Sequence, residues 1–416
     1  MKKTLLLSVV ASTMIMAGGD IVAPVEPVIE TPAVAQDCGD WKFSGQGVVY
    51  YQTTDFVDAL KTGEPDLFEQ TSSLANVGLQ LRAINKDIFA GIGAGVELTG
   101  LGTWGLEEDV VGKTMQTPAK GGWVSQAYLT YAMGNTNFTI GRQELPKALS
   151  PFAFSEGWNV FKNTFDAGLV VNTDLPNTTL VGAIVFKANG NGIANDMSSF
   201  SSINPDGDSG DDTPVFMLTA QNKSIEGLTL TGTVYQSSEF AGDEDLLALW
   251  GDAKFNVGNF GIGLQGGSID VGQDDVAVAL GAKASGKFGN FGACIGFSST
   301  DENAAFANLG GVKTPLYTQM ILNQGVIKTD TDYIKVGTKV KNVLGGMIKV
   351  NYGYALAHHD DIADGADNNP SELDVIYKTK VFNKSTTLLA AYIMIDPDVD
   401  GADNKNVIRV WGRYNF

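Results

Sequence analysis

The chain has 416 residues, of which 50 are glycine and 18% are charged, and its formal net charge is −19. This charge disfavours nucleic acid as a partner, because nothing would neutralise the phosphates. No stretch approaches the ~18 consecutive apolar residues of a membrane-spanning helix, so a helical membrane protein is excluded. The many short alternating segments rich in glycine, aromatic and β-branched residues indicate an all-β protein instead.

The first segment, residues 1–17, has the pattern of a secretory signal peptide. Two lysines precede an apolar run, and two glycines follow that run. Cleavage after Ala17 is our first choice and cleavage after Ala35 is the alternative. Residues 18–40 carry prolines among valines, which predicts an extended periplasmic linker.

From Trp41 onward, apolar and polar residues alternate with the period of two that is typical of β-strands. In the first segment Phe43 and Val49 share one face, whereas Gln46 and Gln52 share the other. Most of these segments are near the ~9–11 residues that a strand needs to cross a bilayer at a tilt. We count about 18 of them and predict a transmembrane antiparallel β-barrel of about 16–18 strands over residues 41–416.

The connections between the segments support this barrel. Short connections such as 85–87 and 134–136 alternate with long ones such as 54–73, 143–164 and 299–331. Outer-membrane barrels keep short turns on the periplasmic side and long loops outside. A large soluble β-sandwich also has alternating strands, but it has no reason to keep all its long loops at one end.

The last segment ends in Phe416, with Tyr414 two residues before it. This ending resembles the signal by which the barrel assembly machinery of bacteria receives its outer-membrane substrates. We therefore expect Tyr414 and Phe416 to contact that machinery. The expected location is the outer membrane of a Gram-negative bacterium, with the lipid bilayer and lipopolysaccharide around the barrel.

Several stretches together carry a family resemblance. They are the MKKTLLLS leader, the C-terminal RYNF, Gly141-Arg142-Gln143 followed by Pro146, and residues 163–167, NTFDA. On these residues the chain resembles the Opr-type porins of the epsilonproteobacterial kind, related to the campylobacter-type major outer membrane porin. The resemblance implies an 18-stranded general porin that forms a homotrimer, prefers cations and has an infolded third loop.

The connection 143–164 is the third long one, and its composition is unusual for a surface loop. It holds two prolines and many aromatic side chains, so we predict that it folds inward and narrows the channel, with the aromatic residues packing on the wall. The ionisable residues that we assign to this constriction loop and its end are Glu144, Lys147, Glu156, Lys162 and Asp166.

Opposite this loop we predict a basic pore wall, because strand parity points many basic residues inward. The residues assigned to it are Arg82, Arg142, Lys339, Arg409 and Arg413. Acidic loop and basic wall would set up a field across the narrowest section. Arg142 has the lipid-facing parity of Phe138 and Ile140, and we expect it to turn into the lumen. The alternative for any one basic residue is plain solvation in a wide channel.

These features predict a passive diffusion porin for ions and small hydrophilic solutes, with cation preference from acidic external loops. No cofactor is expected, except that Asp396, Asp398 and Asp400 match the first half of a calcium loop whose last position lacks glutamate. An enzyme is disfavoured, because the two histidines, His358 and His359, are adjacent in an acidic loop. The alternative is an adhesin or a solute-selective channel that acts through its long acidic external loops.

Overall fold

The computed structural model describes most of the chain beyond the predicted linker. The described residues are 40–56, 65–107, 109–112, 114, 116–117, 120–193, 195–204, 213–241, 244–272, 275–358, 369–399 and 401–416. The predicted signal peptide, all but the last residue of the predicted linker, and parts of several external loops lie outside these residues.

The described residues form 19 strands, one short helix and one 3₁₀ turn at Gln70–Ser72. The first strands are β1 Trp41–Thr54, β2 Ser73–Phe89, β3 Ile92–Gly102, β4 Lys120–Met133, β5 Thr136–Gln143, β6 Phe165–Asn172, β7 Thr178–Ala188, β8 Ser201–Ser202 and β9 Val215–Asn222. The next are β10 Leu228–Ala241, β11 Glu244–Val257, β12 Phe260–Asp270, β13 Ala277–Phe288 and β14 Phe291–Thr300. The helix α1 Gln324–Ile327 precedes β15 Thr331–Val343, β16 Gly346–His358, β17 Ser371–Val381, β18 Thr386–Asp396 and β19 Lys405–Asn415.

The strands close into one antiparallel barrel. Each long strand pairs with its neighbours in chain order, and β7 pairs directly with β9. The two-residue strand β8 only touches the end of β7, so 18 strands form the wall. The prediction of an 18-stranded transmembrane barrel is confirmed. Among the residues that the structure describes, no helix has both the length and the apolar character needed to cross a membrane.

The last strand completes the ring by pairing with the first. Val49 lies opposite Gly412 in this pairing. Beyond the end of β19, the backbone N–H of Phe416 donates to the carbonyl of Gly45 at 3.0 Å, and the N–H of Gly45 donates back at 2.8 Å. A closed ring leaves no unpaired strand edge, which is what a β-structure needs in hydrocarbon.

The two faces of the wall differ as the sequence predicts. Large apolar side chains such as Val49, Leu79 and Leu264 are exposed on the outer face. Polar side chains such as Gln52 and Asn76 are buried on the inner face. An apolar outer face suits contact with lipid tails, and a polar inner face suits a water-filled interior.

Long external loops lie at one end of the barrel and tight turns at the other. At the tight end, Ala90 and Gly91 alone join β2 to β3, and both have positive φ. Two external connections are shorter than the others, because β11 begins at Glu244 just after β10 ends at Ala241, and β13 begins soon after β12. The loops named below are loop 3 (residues 144–164), loop 4 (residues 189–214) and loop 7 (residues 301–330).

Candidate pore constriction

Loop 3 begins where β5 ends, and it packs on inward-facing residues of distant strands. The ring of Phe152 lies 5.5 Å from that of Tyr235 in β10 and 5.3 Å from that of Trp250 in β11. The hydroxyl of Thr219 in β9 donates to the carbonyl of Leu149 at 2.8 Å. Burial of such aromatic surface is the main stabilising contribution to the placement of this half of the loop.

The second half of loop 3 contacts the other side of the barrel. Arg413 of β19 donates to the carbonyl of Val160 at 3.0 Å. The indole of Trp158 lies 5.0 Å from the guanidinium carbon of Arg409, and Phe161 packs over Gly78 of β2, where a Cβ would meet its ring at 2.4 Å. Only glycine leaves room for that ring. The loop therefore contacts inward-facing residues on both sides of its own strands.

Glu144 stands at the centre of a charge cluster formed by β2, β3 and loop 3. Its carboxylate accepts from Lys162 at 2.9 Å and pairs with Arg82 at 3.5 Å. Arg82 also pairs with Glu97 at 2.6 Å. The side chains of Glu144 and Lys162 keep 32% and 33% exposure, so this cluster is in contact with the channel interior.

The pKa of Glu144 reflects two opposing effects. Burial raises the pKa of this carboxyl, but the positive charges of Lys162 and Arg82 together outweigh burial and hold the pKa below its ordinary value. Glu144 is therefore ionised at neutral pH. Acidic and basic groups are in direct contact here, whereas the sequence predicts that they face each other across the channel.

Glu156 has a structural position that the sequence did not reveal. Its side chain is buried, and one carboxylate oxygen accepts from Asn308 and from the backbone N–H of Lys313, both at 2.8 Å. Lys147 donates to the carbonyl of Thr314 at 2.7 Å. Both loop 3 residues therefore bind loop 7.

Arg142 and Asp166 require a correction. They lie directly opposite each other in β5 and β6, and Arg142 also lies opposite the exposed Ala127 of β4. Arg142 keeps its outward parity, pairs with Asp166 through contacts of 2.8 and 3.0 Å, and stacks over Phe200. The expected inward turn of Arg142 is wrong, because its carboxylate partner is also on the outer face. Asp166 belongs to β6 and lies outside the constriction loop.

The other basic residues assigned to the wall do face inward. Arg409 and Arg413 are buried, and Lys339 lies opposite Lys349 in the pairing of β15 with β16. Lys335 is also buried, and it donates to the carbonyl of Gln319 in loop 7. Loop segments thus cover much of the basic wall.

Sequence reasoning missed the position of loop 7. Its segment 314–323 is largely buried, forms no strand and contacts wall residues from Asp252 of β11 to Glu372 of β17. Glu372 of β17 accepts backbone N–H groups of Ile321, Leu322 and Asn323 at 2.6 to 3.1 Å. Pro315 and several large apolar residues in a long external loop were the available signal, since the same composition marked loop 3.

Glycines on the inner wall make room for loop 7. A Cβ on Gly263 of β12 would lie 2.7 Å from the hydroxyl of Tyr317. A Cβ on Gly353 of β16 would lie 2.5 Å from the hydroxyl of Tyr333 and 2.9 Å from Met320. Tyr317 also donates to Asp252 at 2.7 Å. Side chains at these glycines would displace the loop.

The predicted calcium residues are described only in part. Asp400 lies outside the described residues. The backbone N–H of Asp398 donates to Asp396 at 3.0 Å, and Asp398 accepts from the backbone N–H of Asn369 at 2.8 Å. Across the described ranges, no group of three or more histidine, cysteine, aspartate or glutamate side chains is placed to hold a metal ion.

Solved structures of similar fold include proteins of two bacteria. OccK9 (OpdG) of Pseudomonas aeruginosa has a TM-score of 0.72 and 16% identity, and the match covers 91% of this chain and 98% of that chain. The outer membrane protein OpdK of the same organism has 0.70 and 14%, with 91% and 99% covered. OccAB2 of Acinetobacter baumannii has 0.71 and 15%, with 91% and 98% covered.

The chain has the β-barrel fold of the outer membrane protein OpdK. This fold and its apolar outer face indicate the outer membrane of a Gram-negative bacterium. No family model matches the chain, and no curated protein sequence matches it. The resemblance to the campylobacter-type porins therefore stays a prediction.

Proposed function

We propose that the protein is a passive diffusion porin for ions and small hydrophilic solutes. The observation that carries this proposal is the closed 18-stranded wall with an apolar outer face and a polar inner face. A barrel of ~16–18 strands is wide enough to enclose an aqueous channel. The wall alone would enclose a wide channel. The selectivity of the channel therefore depends on the loop segments that narrow it.

Loop 3 is the proposed constriction, together with the buried segment of loop 7. Of the three carboxylates that the sequence offered for the solute path, Glu144 is the one with both a channel-facing position and two cationic neighbours. Glu156 accepts a backbone N–H group of loop 7, and Asp166 lies on the outer face. We therefore assign Glu144, with Lys162 and Arg82, to the narrow section.

Cation preference follows from how the charges are distributed. The chain carries a net charge of −19, and acidic residues are frequent in the external loops. Two basic wall residues, Lys335 and Arg413, are buried and bonded to loop carbonyls. Charges on the solvated mouth act on ions over about a Debye length, ~8–10 Å at physiological salt. Acidic groups therefore dominate the field that an entering ion meets.

The outer surface has a proposed role in assembly and packing. Tyr414 and Phe416 are exposed on the outer face, with ring centroids 5.8 Å apart. This accessible aromatic pair beside the closing strand β1 supports recognition by the barrel assembly machinery. The lipid bilayer, lipopolysaccharide and two further copies in a homotrimer are the other partners proposed for this face.

Planar-bilayer recording tests the proposed function. Detergent-refolded protein should insert in steps of constant conductance, and a KCl gradient should give a reversal potential that favours K⁺ over Cl⁻. Glu144→Gln should shift that potential toward zero, whereas Glu302→Gln, on an exposed position of loop 7, serves as a charge-matched control. Folded barrels that give no conductance would refute the porin, and a Cl⁻-favouring potential would refute the cation preference alone.

A further inference from the structure

Three neighbouring turns form a basic surface at the tight end of the barrel. They belong to the hairpins β13–β14, β15–β16 and β17–β18, which are adjacent in the ring. Their exposed basic residues are Lys287, Lys341, Lys380 and Lys384. Aspartate and glutamate are absent from the stretches on both sides of these turns, which are residues 276–300, 333–359 and 375–395. We call residues 287–291, 341–346 and 380–385 the rim patch. It is basic although the whole chain has a net charge of −19.

Large apolar side chains occupy the tips of two of these turns. Leu344 is 90% exposed and Phe382 is 77% exposed. Both lie beyond the last strand pair of their hairpins. Both also have positive φ, 48° and 50°, a conformation that disfavours bulky residues and that glycine or asparagine adopts readily. A turn in water gains nothing from such residues, so they indicate an apolar contact that the barrel alone does not supply.

Hydrogen bonds hold the three turns together. The backbone N–H of Lys341 donates to the carbonyl of Asn290 at 2.9 Å, which joins the first turn to the second. The hydroxyl of Tyr377 in β17 donates to the carbonyl of Leu344 at 2.9 Å, which joins the second turn to the third hairpin. The rim patch is therefore one preorganised surface, and a partner that binds it need not order it first.

The segment that precedes β1 has a complementary composition. Residues 18–39 contain no basic residue and six valine or isoleucine residues. Their acidic residues are Asp20, Glu26, Glu30 and Asp37. Signal-peptide cleavage after Ala17, our first choice, leaves this segment on the mature chain. Its negative charge and its apolar residues match the two properties of the rim patch.

The segment is also attached close to the rim patch. It leads into β1, which pairs with β19, and β19 pairs with β18 of the nearest patch hairpin. Its 22 residues span at most ~70 Å, whereas the farthest patch turn lies about seven strand positions away, ~45 Å along the rim. Single exposed ion pairs are weak, but tethering gives an effective concentration on the order of mM, so several weak contacts suffice.

We infer that the rim patch binds the acidic N-terminal segment of the same chain, residues 18–39. Glu26 and Glu30 pair with lysines of the patch, and the valine and isoleucine residues cover Leu344 and Phe382. A free periplasmic partner would lack the tether that makes weak contacts sufficient. The inference does not depend on conduction and goes beyond the proposed porin function.

Carbodiimide cross-linking of the detergent-purified mature protein tests this contact, because the reagent joins a carboxylate to a lysine that touches it. Mass spectrometry should find Glu26 and Glu30 linked to Lys341, Lys380 or Lys384. Lys86 is the proximity control, since it is exposed in β2, which pairs with β1. We expect at least fivefold fewer links to Lys86. Equal linking to Lys86 would mean that the tether alone brings the groups together, and would overturn the inference.

Proteolysis provides a second measurement. A glutamate-specific protease should cut after Glu26 and Glu30 roughly tenfold faster when Lys341→Gln, Lys380→Gln and Lys384→Gln are combined, because three weak ion pairs together amount to about that factor. Lys86→Gln is the matched control and should leave the rate unchanged. The lysines are exposed, so the barrel should fold, which heat-dependent electrophoretic mobility checks. Equal cleavage of the folded triple variant and wild type would contradict the contact.

The apolar part of the contact has its own variant. Leu344→Gly combined with Phe382→Gly removes both exposed side chains and relieves the positive-φ conformation, so the turns should keep their shape. Cleavage after Glu26 and Glu30 should again become faster. An unchanged rate would show that the two side chains are not covered by the segment.

Other occupants of the rim patch are distinguished by where the links form. Links within one chain that persist in nanodiscs and disappear in about 1 M KCl support the inference. Links only between differently labelled copies would assign the patch to a second copy, and loss of the links in phosphatidylglycerol nanodiscs would assign it to lipid headgroups. A mature chain that begins after Ala35 would lack the segment. Each of these three results would overturn the inference, whereas barrels that show the links without conducting would refute only the porin.

Discussion

Replacing Glu372 with glutamine should release loop 7 from the inner wall. Glu372 is fully buried, and both of its carboxylate oxygens accept backbone N–H groups from consecutive residues of the loop. Glutamine keeps one acceptor oxygen but turns an NH₂ group toward donors that it cannot bond. The barrel itself should stay intact, because Glu372 acts on the loop through its side chain and strand pairing uses only the backbone.

The size of the effect follows from the bonds that are lost. One backbone N–H group, that of Asn323 or that of Ile321, would lack an acceptor, whereas the N–H of Leu322 contacts both oxygens and keeps one of them. An unpaired buried N–H group costs ~1–3 kcal/mol, and the docked state of the loop should be destabilised by that amount. A shift of 1.4 kcal/mol is tenfold in an equilibrium constant, so the released state should be favoured roughly 5- to 150-fold more than in wild type.

Two measurements check this prediction. Single-channel conductance should rise or become noisier in Glu372→Gln, and limited proteolysis should cut within residues 314–323 faster than in wild type. Glu302→Gln, an exposed change in the same loop, should leave both unchanged. If Glu372→Gln folds and shows wild-type conductance and wild-type proteolysis, the carboxylate does not hold the loop and the reasoning is wrong.

The remaining predictions concern the charge cluster, the outer face and the inner wall. The lowered pKa of Glu144 keeps its carboxylate ionised as the pH falls through the ordinary value of ~4.3, so the reversal potentials of wild type and Glu144→Gln should converge only below that pH. Arg142→Gln and Asp166→Asn should show coupling of at most ~1 kcal/mol in a double-mutant unfolding cycle, with unchanged ion selectivity, because the pair is partly exposed on the outer face. Gly263→Leu should displace Tyr317 and raise conductance without lowering the thermal stability of the barrel.

The fold was predictable because its signal is local and repeated. A strand that faces lipid on one side and water on the other must alternate, and each tight turn fixes where the next strand begins. Parity alone therefore placed Arg409 and Arg413 on the inner face. Strand parity also places Arg142 on the outer face, where the structure has it. The expectation that Arg142 turns into the lumen was wrong because it set parity aside.

The interior was less predictable because it depends on contacts between distant residues. Composition marked loop 3 as apolar enough to fold inward, yet it could not separate the roles of Glu144 and Glu156. One lies between two cationic side chains, and the other binds Asn308 and the backbone of loop 7. No spacing in the sequence records that partner, which lies some 150 residues away.

The buried carboxylates also indicate how the narrow section is built. Glu156 joins loop 3 to loop 7, and Glu372 joins loop 7 to the wall, in both cases through backbone N–H groups. Backbone donors have fixed directions and no charge that titrates, so these two bonds hold position without depending on which solute passes. Glu144 alone among the three is bonded to side chains that remain partly exposed. We therefore propose that ion selectivity depends on Glu144 and that loop position depends on Glu156 and Glu372. Neutralising Glu144 should then change the ion preference while the loops stay in place.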